Sequence, residues 1–204
     1  MDNKFLTFIK PYLSLIDNGH FYRKPFSWLY SILAILNLIL PLFVLYIAID
    51  NDIFSGQKFP PDIIIWFLLV WIIITFASWV SFQLWWDRKS KVNDTSVEGD
   101  KFVATAVFSH LIQTTGEWLG TWICIVGFGT ALLTTIILGD EGSYLSSEVG
   151  LDFLETSRLG IVLMPIYGFL IIVATKFLAE QFKALTSIAN NTCKKITNNN
   201  NPSF

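Results

Sequence analysis

One stretch of this chain sets polar and ionisable side chains on a single helical face within apolar sequence: His110, Thr114, Glu117 and Thr121, with Gln113 at the edge. At 100° per residue, the spacing i, i+4, i+7, i+11 keeps the four within a sector of about 60°. Glu117 is the only acid closely flanked by apolar membrane sequence. Ionisable side chains at such depth are costly and usually face a bundle interior or water. His110 and Glu117 stand two turns apart, about 10 Å along the axis, so a side chain, a water or a substrate must bridge them. The stripe is either a polar binding or proton-relay site at the cytoplasmic mouth, or the solvated face of a protruding helix with Glu117 at headgroup level. The sequence leans to the second.

Beside this stripe runs a second one of small residues, Gly116, Gly120, Gly127, Ala131 and Thr134, again within about 60°. The small-xxx-small pairs 116/120 and 127/131 let another backbone approach closely, and van der Waals packing is a main force between helices in lipid. Packing inside one bundle is favoured over packing between copies. A further polar residue, Asn37, lies four positions before Pro41. Proline removes one backbone donor and clashes with the carbonyl four residues back, so a kink is expected, with Asn37 turned into the bundle as helix–helix glue rather than as a ligand site.

No standard enzyme is indicated. The sequence holds no H-E-x-x-H, nucleophile elbow, P-loop or CxxC motif. Two histidines, His20 and His110, do not make a multi-histidine haem or di-iron site, and Cys124 and Cys193 have neither disulfide nor metal spacing. No cofactor or metal is indicated.

These side chains need helices to hold them, and the chain supplies four. Uncharged runs cover 25–49, 63–86, 118–139 and 159–175 in a chain of 204 residues that is 53% hydrophobic and only 15% charged, with mean hydropathy +0.54. A soluble chain carries roughly 25% charged residues, and crossing the hydrocarbon core takes about 20 apolar residues. Disorder, nucleic-acid binding and a disulfide-stapled secreted domain are excluded. The predicted fold is an all-α integral membrane protein with four transmembrane helices (about 26–48, 63–86, 118–138 and 159–180) in an antiparallel bundle.

The first run is too long for a signal h-region and no small-residue cleavage site follows it. Twelve basic residues flank the spans on one side and two, Lys58 and Arg158, on the other. Basic residues near span ends are retained in the cytoplasm, which predicts a multi-pass protein of the cell membrane (plasma or inner) with both termini cytoplasmic.

Residues 1–25 read as a cytoplasmic or interfacial segment, because 5–16 are apolar but too short to span. The four-helix domain covers 26–190, and 191–204, with its asparagine run, is expected to be disordered. Helix 3 is patterned from Phe102 to Leu138, so it either protrudes into the cytoplasm or bends near Gly116; helix 4 also continues past Lys176 as a cytoplasmic extension. A short outer helix is expected within 146–157.

The small-residue stripe, the lack of catalytic motifs and the absence of a sizeable soluble domain point to a non-enzymatic accessory, scaffold or assembly subunit. Its partners would be the lipid bilayer and other membrane subunits or a second copy, not nucleic acid. The competing reading is a small oligomeric transporter or channel with Asn37, His110, Thr114 and Glu117 along a polar path.

Overall fold

The computed structural model describes residues 20–54, 59–92, 102–139 and 157–200. Among them every regular element is a helix: α1 (His20–Asp50), α2 (Pro61–Lys91), α3 (Val103–Leu138) and α4 (Ser157–Asn200). All four are long and apolar enough to cross a membrane. With 31, 31, 36 and 44 residues, they extend from about 47 to about 66 Å, well beyond the roughly 30 Å hydrocarbon core.

Local chemistry sets their ends. Pro60 and Pro61 open α2, where proline's missing N–H costs no helical bond. Asp62 sits in its first turn and Arg88, Lys89 and Lys91 in its last, the signs that the helix dipole favours at each end. α1 closes in a Schellman arrangement: the Ile53 amide donates to the Ala48 carbonyl and the Asp52 amide to that of Ile49, with Asp52 at φ 57°.

Gly139, at φ 52° and ψ −124°, stops α3. The α-helix runs without a break through Gly116. Its irregularities lie further on, as π turns at Ile123–Gly127 and Thr134–Leu138. Both fall in runs of β-branched residues, which crowd the preceding turn of a regular helix. α4 continues to Asn200, so 191–200, expected to be disordered, is helical. Propagating an existing helix adds one hydrogen bond per residue fixed, which offsets the poor helix propensity of asparagine. The interfacial segment at 5–16, the outer helix at 146–157 (except Ser157, the first residue of α4) and the last four residues of the tail lie outside the described residues.

Large apolar side chains point outward, as with Leu42, Phe43, Phe76, Phe169 and Ile136. That is the reverse of a water-soluble bundle and the pattern lipid requires. α1 packs broadly on α2, and α3 on α4; α2 joins the two pairs through α3, and α1 reaches α3 over a short stretch. Contacts run in opposite residue order along each pair. Tyr30 meets Trp85 and Pro41 meets Trp71; Arg88 meets Glu117 and Trp66 meets Thr134; Gly127 meets Met164 and Gln113 meets Lys183. The buried core of Tyr30, Ala34, Trp85, Val92, Val103 and Val107 lies at the end where α1 begins, α2 ends and α3 begins, and the polar stripe sits beside it.

Candidate functional site

The stripe on α3 separates into two networks. In the first, Glu117 Oε2 accepts from Arg88 of α2 through both Nε (2.9 Å) and a terminal guanidinium nitrogen (2.8 Å). Glu117 Oε1 accepts from Gln113 Nε2 at 2.9 Å, and Gln113 Oε1 accepts from Lys183 Nζ of α4 at 2.9 Å. One carboxylate and one amide thus tie three helices together. Glu117's side chain is 17% exposed and that of Arg88 28%, so Glu117 is the acceptor of an inter-helix ion pair largely shielded from solvent.

The second network is buried. Tyr30 Oη lies 2.8 Å from His110 Nδ1 and donates to Thr114 Oγ1 at 3.3 Å, while Thr114 Oγ1 donates to the His110 carbonyl at 2.9 Å. The threonine proton goes to the carbonyl; when the tyrosine proton fills the Tyr30–Thr114 contact, His110 Nδ1–H is left to donate to Tyr30. This ring of three donors and three acceptors closes only with His110 protonated on Nδ1. The Tyr30 and His110 rings stack at 5.7 Å. No bond joins His110 to Glu117; each has its own partner on a different helix.

Thr121 donates to the Glu117 carbonyl at 2.6 Å and so serves its own helix. Asn37 bonds across the seam between α1 and α3. Its Oδ1 accepts from Trp118 Nε1 of α3 at 2.9 Å, and its Nδ2 donates to the Leu33 carbonyl at 2.8 Å. Next to Pro41, whose carbonyl accepts from Trp71 Nε1 at 2.9 Å, this fastens the proline-containing stretch of α1 to both α2 and α3.

The small residues are spent on packing within the chain. A methyl group at Gly120 would meet the Gly168 carbonyl at 2.5 Å, and one at Gly168 would meet the Gly120 carbonyl at 2.5 Å, so here the α3 and α4 backbones themselves touch. Gly116 faces Thr175 and Gly127 faces Met164, both on α4. Ala131 is buried, whereas Thr134 accepts from Trp66 Nε1 of α2 at 3.0 Å. The stripe therefore turns from α4 toward α2 after the first π turn, whose extra residue rotates the remainder of the helix.

Sequence spacing did not reveal Arg88, Tyr30, Trp118 or Lys183. On the far side of α3, Leu40, Trp118, Leu119, Trp122, Ile123, Val126, Gly127 and Met164 line an open apolar groove of about 410 Å³ between α1 and α4. The first π turn forms its floor. Among the described residues no three His, Cys, Asp or Glu side chains group to hold a metal ion.

No family model, no curated protein and no solved structure matches the chain. Fold and site together define a multi-pass membrane protein of four apolar helices, with Glu117, Gln113, His110 and Asn37 bonded across helix seams.

Proposed function

We propose that this chain is a non-enzymatic accessory, scaffold or assembly subunit of a membrane complex. In this reading it is an antiparallel four-helix bundle in the cell membrane with cytoplasmic termini and cytoplasmic ends to α3 and α4. The apolar groove between α1 and α4 carries the reading. The ionisable stripe is occupied by Arg88, Tyr30 and Lys183, and Gly116, Gly120 and Gly127 by α4, whereas the groove stays open. Its lining offers almost no polar atom, so it suits a partner's apolar helix rather than a polar substrate.

Purification in mild detergent with mass measurement tests this. A hetero-complex that falls apart when Leu119→Trp or Val126→Trp fills the groove is the expected result; a lone monomer would sink the proposal. The second reading, a small oligomeric transporter or channel with its mouth at His110 and Glu117, is favoured by one observation: serine hydroxyls deep in the bundle without hydrogen-bond partners. A symmetric homo-oligomer would support it.

A further inference from the structure

Hydroxyl groups on these helices follow one habit. Ser31, Thr75, Thr121, Thr135, Thr175 and Thr186 each donate to the carbonyl four residues back, at 2.6–3.1 Å, the usual solution for a hydroxyl inside a helix. Indole N–H groups show a parallel habit, since Trp66, Trp71 and Trp118 each donate across a helix seam.

Ser78, Ser81 and Trp85 of α2 break both habits at once. They are 1%, 1% and 2% exposed, and Ser78 Oγ, Ser81 Oγ and Trp85 Nε1 have no protein partner. Ser109 Oγ and Trp122 Nε1, both on α3, are further cases, thirteen residues apart. The α2 trio stands at i, i+3 and i+7, one helical face. At its Trp85 end that face looks into the seam of three helices, because the Trp85 ring lies 5.1 Å from that of Tyr30 on α1 and 6.2 Å from that of Trp118 on α3.

A buried polar group without a partner is costly, and more so where the surroundings are hydrocarbon. Residues three apart on a helix hold their Cβ atoms about 5–6 Å apart, a separation that one water can bridge. Water also supplies the acceptor that an indole N–H requires, and two to four polar partners are what a buried water needs. We propose that Ser78, Ser81 and Trp85 form a site for an ordered water held at membrane depth between α1, α2 and α3. Both serine hydroxyls exchange hydrogen bonds with it and Trp85 Nε1–H donates to it.

X-ray radiolytic hydroxyl labelling of the full chain in nanodiscs reads this directly, because radicals form from water next to the side chain. Trp85 should be labelled despite its burial, and the labelling should fall several-fold in the Ser78→Ala/Ser81→Ala double variant. An unlabelled Trp85 in the parent protein, or equal labelling in parent and double variant, would overturn the proposal. Should the double variant fail to accumulate, the parent measurement decides alone.

Discussion

Glu117 keeps its charge company rather than exposing it. A partly buried ion pair loses more on removal of one partner than of both, since the survivor is left desolvated and unpaired; partial exposure here scales the effect down. Arg88→Met or Glu117→Gln alone should each cost about 1–2 kcal/mol. The double variant should cost less than the two together, which thermal unfolding in detergent as a double-mutant cycle measures. Additive losses would show that the pair is not coupled. The Tyr30–His110–Thr114 ring makes a second prediction. Tyr30→Phe strips His110 Nδ1–H of its acceptor and should cost about 1–3 kcal/mol. In the parent protein, ¹⁵N NMR of the imidazole should show the proton on Nδ1; a proton on Nε2 alone would contradict the ring. The sequence exposed one half of each contact. Periodicity along α3 put His110, Thr114 and Glu117 on one face, but Tyr30 and Arg88 lie 80 and 29 residues away from their partners, and helical spacing carries no information across that distance.

At the scale of the helix, the glycines separate backbone contacts from side-chain contacts. At Gly120 and Gly168 an added methyl meets a carbonyl of the facing helix at 2.5 Å, so α3 and α4 must move apart. At Gly129 it meets the end of the Ile73 side chain, at 2.6 Å, which can turn away. Gly120→Ala and Gly168→Ala should therefore each cost about 1–3 kcal/mol, and Gly129→Ala distinctly less, in the same unfolding measurement. Similar losses at all three would mean that the α3–α4 seam is not held by backbone contact. The spans themselves were legible because lipid imposes a length and a composition that a run of uncharged residues displays openly. Less legible was the inside of a span. Nothing in the periodicity of Ile123–Gly127 or Thr134–Leu138 marks a π turn, and a projection at a constant 100° per residue carries Thr134 along the glycine face when it turns to Trp66. The C-terminal asparagines show the converse: weak propensity at a helix end loses to propagation from the long helix before it.

For the molecule as a whole, the packing gathers charge that the sequence scatters. The last turn of α2 brings Arg88, Lys89 and Lys91 beside the start of α3. The later half of α4 reaches the same end, as the Lys183–Gln113 bond and the Phe102 amide on Asn190 Oδ1 show. Lys24, near the start of α1, belongs there too, six residues before the Tyr30–Trp85 contact. The opposite end holds Asp50, Asp52 and Asp62, where α1 closes and α2 opens. A bundle whose described Lys and Arg residues, Arg158 excepted, lie toward one end has one orientation favoured by their retention in the cytoplasm. On that basis a reporter fused after Phe204 should read as cytoplasmic and one inserted near Gly142 as external. Because α3 and α4 are joined through that region and the spans number four, the two reporters must fall on opposite sides whichever way the bundle lies. Two reporters on one side would break the four-span fold, and an exchange of sides would leave the fold standing while overturning the orientation read from charge.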